Sequence, residues 1–487
     1  MKLYFYKFDR VTLFVVFTFL ILYVFSFFPE ISFTNSLFGE INITRVDLTS
    51  DFDKSNVVYA FKTDITNVDA SKKSENKTIS EGENNLNYVS EKKNENQVHG
   101  KTLICEDKTV IPFEDYSKTN ELQKIVSDLK SLRNGKRKMR IAFLGDSFIE
   151  ADIMTEGVRS QLQEVFGGRG VGFIPITSLA SKYRKTIEQG SCGWKSFSMV
   201  KYKEADYKRL IPTGFYYTPS EGSTFFIKTK KVGGEDTKYS SARFIFVNEK
   251  NTEIQVSING AIHTSYKPDS DERLQTIDLK GDISSLDFSF SNTDDFYGYG
   301  LLLNDTNGIY VDNYSVRGSS GIVLSTSNEN LSRQYASIVP TDVIVLQYGL
   351  NVAGANVLNY NYYKKKMIEI INKLRTIFPM ASFIVMGVGD RSMKINNTIE
   401  TMPGIIALIE SQREIAKTAG CIFWDTFNAM GGKNSMLSFI SHNPPLASKD
   451  YTHINHLGGQ QLSKVFVNSL LNEVQTFSLT SYKEEED

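Results

Sequence analysis

The hydrophobic pattern of the chain predicts alternating strands and helices in two separate stretches. Four short apolar runs have the length of buried strands, at 139–144, 342–348, 382–388 and 421–427. Apolar residues recur at helical spacing beside these runs, which predicts helices at 120–132, 151–166, 357–378, 402–418 and 458–474. Continuous apolar strands between amphipathic helices are typical of an α/β fold whose parallel sheet is covered on both faces.

Residues 184–310 follow a different pattern, in which apolar and polar residues alternate over short segments separated by Gly, Asn and Asp. This pattern predicts an antiparallel β-sandwich inserted into the α/β domain. Aromatic residues of this segment, Trp194, Tyr202 and the cluster at 296–300, suit either sugar stacking or packing in the sandwich core.

The N-terminal segment predicts a membrane anchor. Lys2, Lys7 and Arg10 precede an uncharged apolar run at 11–28 that is long enough to span a bilayer, and no small-residue cleavage site follows it. We therefore expect a cytoplasmic segment at 1–10 and an uncleaved signal anchor at 11–29. The remainder of the chain is then extracytoplasmic, in the periplasm or at the cell surface.

The predicted anchor is followed by segments of distinct composition. Residues 30–110 are largely polar and predict a flexible tether. The α/β domain then falls into two parts, at 111–183 and 311–478, and the chain ends in an acidic tail at 479–487.

Charge and cysteine content narrow the possible functions. The formal net charge is −1, which argues against a nucleic-acid partner because phosphate binding needs a basic excess. The chain contains 3 cysteines, at positions too widely spaced for a disulfide framework or a zinc knuckle.

The first candidate catalytic residue is Ser147, in the stretch "IAFLGDS" at 141–147. A serine at the end of a buried strand and the start of a helix is either a nucleophile or an ordinary helix cap. Asp146 beside it is expected to brace the turn by hydrogen bonding.

A serine nucleophile needs a base, and the 5 histidines of the chain offer few choices. His453 lies three residues after Asp450, just before the last predicted helix. One turn can therefore carry a general base and the carboxylate that orients it. A metal site formed by Asp450, His453 and His456 is the alternative reading of the same stretch.

Further candidates follow the other predicted strands. Asn351 lies just after the strand at 342–348, where open α/β sheets place their sites, and its amide can donate to an oxyanion. Gly318 offers a backbone N–H for the same purpose. Asp390 and Arg391 follow the strand at 382–388 and either line the cleft or form an internal ion pair.

These blocks resemble the SGNH, or GDSL-type, hydrolases. The matching residues are Ser147 in "GDS", Gly318 in "NYSVRG", Asn351 in "GLN", and Asp450 with His453 in "DYTH". The chain is most similar to the branch with an inserted β-rich domain, which includes peptidoglycan and polysaccharide O-acetylesterases. Phe148 departs from that branch, in which many members carry a polar residue after the serine.

The resemblance implies a flavodoxin-like three-layer sheet and a two-step ester exchange without a metal or organic cofactor. Ser147 would attack an acetyl carbonyl while His453, oriented by Asp450, takes its proton. The N–H groups of Ser147 and Gly318 and the amide of Asn351 would hold the oxyanion.

The resemblance implies a substrate as well as a mechanism. That substrate is an O-acetylated polysaccharide of the cell envelope or the extracellular space. Two alternatives remain at this stage: an O-acetyltransferase that uses the same residues, and a polysaccharide-binding protein without catalytic activity.

Overall fold

The structure is a computed structural model that describes residues 30–35, 39–44, 109–133, 137–178, 181–201, 203–231 and 237–484. The chain divides into two units, residues 1–95 and 96–487. The described part of the first unit is an antiparallel hairpin of β1 (Glu30–Asn35) and β2 (Gly39–Thr44), within the segment predicted as a tether. The anchor predicted at 11–29 lies outside the described residues. Within the described ranges, no helix is long and apolar enough to cross a bilayer.

The strands of the second unit are β3 (Glu114–Asp115), β4 (Lys138–Gly145), β5 (Gly170–Ile174), β6 (Ile187–Ser198), β7 (Phe215–Thr229), β8 (Tyr239–Asn248), β9 (Glu253–Ile258), β10 (Ile262–Tyr266), β11 (Asp271–Ile283), β12 (Ser285–Ser291), β13 (Phe296–Asn304), β14 (Gly308–Ser315), β15 (Val343–Gln347), β16 (Ser382–Met386), β17 (Ser392–Ile395), β18 (Thr398–Thr401) and β19 (Ile422–Trp424). Its helices are α1 (Glu121–Leu132), α2 (Thr155–Phe166), α3 (Glu329–Ile338), α4 (Asn361–Ile377), α5 (Pro403–Ala419), α6 (Thr426–Met430), α7 (Ser435–Ser441) and α8 (His456–Glu484).

The sheet of the α/β domain has the strand order β14-β4-β15-β16-β19-β3. Its first five strands are parallel, and β3 is antiparallel at the edge. Numbered along the chain, the parallel strands run 2-1-3-4-5, which is the flavodoxin-type order. That order places the carboxyl ends of β14, β4 and β15 side by side.

Both faces of this sheet are covered by helices. On one face Phe143 of β4 and Trp424 of β19 pack against Phe466 of α8, with ring centroids 5.9 and 5.1 Å apart. On the other face Leu346 of β15 and Met367 of α4 line the same small cavity. The predicted parallel sheet with two helical layers is confirmed, and most residues of its strands are apolar and buried because neither face reaches water.

Strand β14 was not predicted from the sequence. Its apolar run is interrupted by Asp312 and Asn313, which are buried all the same. Arg140 forms an ion pair with Asp312, and the Asn313 amide donates to Ile149 O and Thr155 Oγ1 at 2.7 and 2.8 Å. Partners distant in sequence satisfy these two polar side chains, and a local pattern does not reveal them.

The inserted segment contributes eight strands, β6 to β13, to a nine-stranded antiparallel sheet with its own apolar core. The antiparallel character is confirmed, and a single residue pair, Gly298 of β13 with Tyr217 of β7, joins the strand groups β10-β9-β12-β7 and β13-β8-β11. The sheet curls so that Phe244 of β8 meets Phe288 of β12, with ring centroids 5.1 Å apart, although β7 and β13 lie between these strands. Strand β5, which precedes the predicted boundary at residue 184, also joins this sheet by pairing with β13.

Candidate active site

The loop that carries the candidate nucleophile Ser147, named the nucleophile loop, begins where β4 ends at Gly145. A Cβ at this position would lie 2.9 Å from the backbone oxygen of Gln347, so only glycine allows the close approach of β15. The chain then turns through Asp146, whose Oδ1 accepts a hydrogen bond from Phe148 N at 2.9 Å. Asp146 therefore braces the turn, as predicted.

The helix expected directly after Ser147 begins later. A 3-10 turn at Glu150–Asp152 intervenes, and α2 starts only at Thr155. Ser147 is therefore not the N-cap of this helix, which excludes the ordinary helix-cap reading.

Ser147, His453 and Asp450 lie in a hydrogen-bonded chain. The Ser147 Oγ is 2.9 Å from His453 Nε2, and His453 Nδ1 is 2.7 Å from Asp450 Oδ2. Ser147 is buried except for 7% of its surface, whereas the side chains of His453 and Asp450 are 34% and 48% exposed. The arrangement fits a hydroxyl that passes its proton to an oriented imidazole.

The loop that carries the histidine is held by short-range contacts. Asp450 Oδ1 accepts hydrogen bonds from the N–H groups of Thr452 and His453, both at 3.0 Å. Partial burial opposes ionisation of Asp450, but the hydrogen bonds from His453 and Thr452 outweigh it and lower the pKa of the carboxyl. Asp450 is therefore ionised at neutral pH and can stabilise an imidazolium.

Close packing at the start of α8 brings this loop to the nucleophile. A Cβ at Gly459 would lie 1.9 Å from the backbone oxygen of Ile153, so a side chain there would push α8 away from the nucleophile loop. His453 lies just before this contact. Glycine at position 459 therefore sets the distance across which Ser147 and His453 meet.

Asn351 links the nucleophile loop to the turn that contains Gly318. Its Nδ2 donates to Asp146 Oδ2 at 3.1 Å and to Ser319 O at 2.9 Å. Both amide hydrogens are therefore engaged, and donation to a substrate oxyanion requires exchange of one of them. In the described part of the chain, the N–H groups of Ser147 and Gly318 have no protein acceptor.

The Asp146 carboxyl that receives this amide is fully buried. Burial raises its pKa to about 7, although hydrogen bonds from Phe148, Asn351 and Leu350 act in the opposite direction. A buried carboxyl that holds its proton near neutral pH thus lies against one predicted oxyanion-hole residue.

Comparison with known proteins supports the fold. The sequence matches no protein-family profile and no curated protein. A solved structure described as a peptidoglycan O-acetylesterase in action superposes with a TM-score of 0.60, at 19% identity, over 75% of this chain and 99% of that one. The serine, glycine and asparagine blocks follow β4, β14 and β15, and the histidine block precedes α8.

The chain has the SGNH hydrolase fold. Two other solved structures align at TM-scores below 0.5. A family two carbohydrate esterase from Cellvibrio japonicus is 10% identical over 59% of this chain and 99% of its own, with a TM-score of 0.25. A GDSL-like lipase from Parabacteroides merdae is 13% identical over 34% of this chain and 73% of its own, with a TM-score of 0.24.

Asp390 does not line the cleft of this SGNH fold. It is fully buried, and its carboxylate accepts hydrogen bonds from Thr401 Oγ1 and Met436 N, both at 2.8 Å. Burial raises the pKa of this carboxyl. Asp390 thus joins the loop after β16 to β18 and α7, and the prediction of a substrate contact is wrong for this residue.

Arg391 lies closer to the predicted oxyanion hole. Its Nη1 donates to Leu350 O at 3.1 Å, beside Asn351. The described residues show no ion pair between Arg391 and Asp390. The guanidinium therefore positions the Leu350–Asn351 segment.

Phe148, the residue that departs from the O-acetylesterase branch, points into the protein. Only 1% of its surface is exposed, and its ring lies within 3.4 Å of the Cβ position of Gly389. It contributes to the core under the nucleophile turn. Its apolar character therefore does not alter the surface that a substrate meets.

The aromatic residues of the insert serve mainly in packing. Trp194 packs edge-on against Phe290, with ring centroids 4.9 Å apart, and Tyr299 is fully buried. Tyr202 lies outside the described residues. His456, considered as a metal ligand, is the first residue of α8, and burial lowers its pKa. Within the described ranges no three His, Cys, Asp or Glu side chains cluster as a metal site would require.

The sequence did not reveal an ion pair between Arg317 and Glu150. Arg317 adjoins Gly318, and Glu150 follows Ser147 by three residues, so the pair joins two SGNH blocks. Opposite charges within three residues of motif positions are the only local signal that points to it.

Proposed function

We propose that this protein is a serine esterase that removes O-acetyl groups from a polysaccharide through an acyl-serine intermediate. The observation that carries the proposal is the hydrogen-bonded chain from Ser147 Oγ through His453 to Asp450. The SGNH fold and its likeness to a structure described as a peptidoglycan O-acetylesterase support acetyl esters as substrates.

In the first step the Ser147 oxygen attacks the acetyl carbonyl carbon while His453 Nε2 accepts the hydroxyl proton. The carbonyl oxygen becomes an oxyanion, held by the N–H groups of Ser147 and Gly318 and by the Asn351 amide. The bond between the carbonyl carbon and the sugar oxygen then breaks, and His453 gives its proton to that oxygen, which leaves as a sugar hydroxyl.

In the second step water attacks the acetyl-serine, and His453 accepts a proton from the water. Collapse of the second oxyanion releases acetate and restores the Ser147 hydroxyl, which recovers its proton from His453. Asp450 stabilises the imidazolium in both steps because its carboxylate accepts a hydrogen bond from Nδ1.

The decisive experiment measures acetate release from a small acetyl ester and from a panel of O-acetylated polysaccharides. We expect Ser147→Ala to abolish the activity, since no other group supplies the nucleophile. Ser337→Ala, an exposed serine on α3, is the matched control and should retain it. Undiminished hydrolysis by Ser147→Ala would contradict the proposal, and acetylated glycan as the main product would indicate transfer.

The sequence also supports an extracytoplasmic location with a membrane anchor at 11–29. This part of the proposal rests on the apolar run after Lys2, Lys7 and Arg10. Attaching a reporter enzyme that is active only outside the cytoplasm to the C-terminus tests it. If this reporter stays inactive while a second reporter that works only in the cytoplasm is active at the same position, the proposed location is contradicted.

A further inference from the structure

A cavity of about 520 Å³ lies beside the candidate active site. One wall consists of catalytic-domain residues, including Glu150, Ala151 and Arg317. The opposite wall consists of residues on or near β6 and β7 of the insert, including Lys195 and Lys201. Its volume is in the range of pockets that bind small ligands or sugar units.

The cavity begins at the Gly318 side of the nucleophile. Ser315 lines it and is the β14 partner of Gly145 in the parallel sheet. Val200 also lines it, and its Cγ1 lies 3.9 Å from the Cβ position of Gly318. A glycan whose acetyl group reaches Ser147 can therefore extend its neighbouring unit into this space.

The nucleophile-loop wall is held in an unusual backbone conformation. Ala151 and Asp152 have φ angles of 58° and 64°, which residues other than glycine rarely adopt. Buried ion pairs fix this geometry, because Asp152 accepts from Arg159 at 3.0 Å and lies 4.0 Å from Arg184. Burial opposes ionisation of Asp152, but the charges of Arg159 and Arg184 and the hydrogen bonds from Arg159 and Thr155 outweigh it and lower the pKa of this carboxyl, so the wall keeps its ion pairs at neutral pH.

Positive charge predominates in the cavity. Its lining includes four cationic side chains, Arg184, Lys195, Lys201 and Arg317, and two carboxylates, Glu150 and Glu204. Arg317 is paired with Glu150, and Arg184 is near Asp152. Among the described residues, Lys195 and Lys201 form no ion pair. Two cations thus remain to attract an anionic ligand.

An aromatic surface lies next to these lysines. The Lys195 Nζ is 4.8 Å from the centroid of the Phe197 ring, and Phe197 stacks on Tyr216 with centroids 4.8 Å apart. Stacking fixes the orientation of the Phe197 ring. The cavity therefore combines a flat apolar surface for a sugar ring with ammonium groups for a carboxylate.

We propose that this cavity binds a carboxylate-bearing sugar unit beside the acetylated one and selects acidic glycans. The inference rests on the proposed function, because it assigns the substrate class of the same site. Lys195 and Lys201 provide the attraction, Phe197 contacts the ring, and Glu204 weakens binding by repulsion.

The test measures binding separately from catalysis. Full-length Ser147→Ala protein is titrated calorimetrically with trigalacturonate, and with galactotriose as the neutral probe of equal length. We expect trigalacturonate to bind at least tenfold more tightly at 50 mM salt and to lose most of this advantage at 500 mM. Equal affinity for the two probes would overturn the proposal.

Variants then locate the site. Adding Lys195→Gln and Lys201→Gln together should weaken trigalacturonate binding about tenfold, because two exposed ion pairs with the ligand are lost. Lys208→Gln with Lys228→Gln, exposed lysines outside the cavity, is the matched control and should have no effect. Glu204→Gln should strengthen binding. Trigalacturonate binding that is unchanged by Lys195→Gln with Lys201→Gln would also overturn the inference.

Failure of the inference and failure of the proposed function give different results. The protein with Ser147 intact is assayed in parallel for acetate release from a small neutral ester. Acetate release without preference for trigalacturonate refutes only the acidic subsite. Preference for trigalacturonate without Ser147-dependent acetate release refutes the esterase.

Discussion

The two flanks of Ser147 are held in place by different means. On the base flank, Asp450 and His453 belong to one turn, lie three residues apart and are partly exposed. On the oxyanion flank, Asn351 lies more than 200 residues after Asp146 and about 30 residues after Ser319, and its amide joins the two. The carboxyl of Asp146 is fully buried. A short turn suffices to orient the proposed base, whereas the proposed oxyanion hole depends on the register of three parallel strands.

The largest effect is expected on the base flank. His453→Ala removes the group that accepts the serine proton, and we expect kcat to fall about a million-fold. Asp450→Asn should cost about 1,000- to 10,000-fold, because it leaves the ring without a carboxylate partner. Steady-state hydrolysis of a small acetyl ester measures both.

The control for this prediction is His263→Ala, which replaces an exposed histidine on β10 of the insert. It should retain full activity. A loss for Asp450→Asn as small as twofold would mean that water replaces the carboxylate, which its 48% side-chain exposure makes a real alternative.

The next effect concerns the oxyanion flank. Asn351→Ala removes an amide donor and the link between Asp146 and Ser319, so we expect kcat to fall about 100- to 1,000-fold with little change in KM. Asn359→Ala, an exposed asparagine before α4, is the control. If kcat is preserved, the N–H groups of Ser147 and Gly318 suffice to hold the oxyanion. The role of Asn351 is then only to join Asp146 to Ser319 through its two hydrogen bonds.

The same contrast explains what the sequence predicted. Ser147 follows an apolar strand, and Asp450 with His453 forms a local pattern, so these positions were identifiable without a structure. Strands β4, β15, β16 and β19 were predictable because their runs are largely apolar, whereas Asp312 and Asn313 interrupt β14. The burial of Asp390 and the pairing of Arg317 with Glu150 were not, because each depends on elements that meet only after folding.

Strand pairing in the insert was beyond sequence pattern for a related reason. Alternation of apolar and polar residues fixes which side chains are buried, and it correctly predicted antiparallel strands. It does not specify which strands are neighbours. The addition of β5 to β13, and the curling of one sheet onto itself around Phe244 and Phe288, therefore came only from the structure.

A smaller effect, on stability, tests the buried carboxyl of the oxyanion flank. Burial raises the pKa of Asp146 to about 7 from its ordinary value of 3.8. Between these values the folded protein holds a proton that the unfolded chain releases, so its free energy of unfolding falls as pH rises from about 4 to 7. Asp146→Asn does not titrate and should lack this contribution.

Urea unfolding at several pH values between 4 and 7 measures the effect. Relative to the unsubstituted protein, Asp146→Asn should gain stability by a few kcal/mol, on the order of 1.4 kcal/mol for each pKa unit, as pH rises. Asp287→Asn, an exposed change of the same chemistry on β12, is the matched control. Parallel stability curves for Asp146→Asn and the unsubstituted protein would show that Asp146 is ionised throughout.

The smallest effect concerns the outermost link of the oxyanion flank, the ion pair between Glu150 and Arg317. The Arg317 side chain is 65% exposed, so water and salt screen the pair, and Glu150→Gln should change the free energy of unfolding by less than about 1 kcal/mol. Hydrolysis of a small neutral ester should stay within about twofold. The freed guanidinium should, however, bind trigalacturonate more tightly. A large fall in kcat instead would mean that this pair positions Gly318, and that the oxyanion flank depends on its surface as well as on its buried contacts.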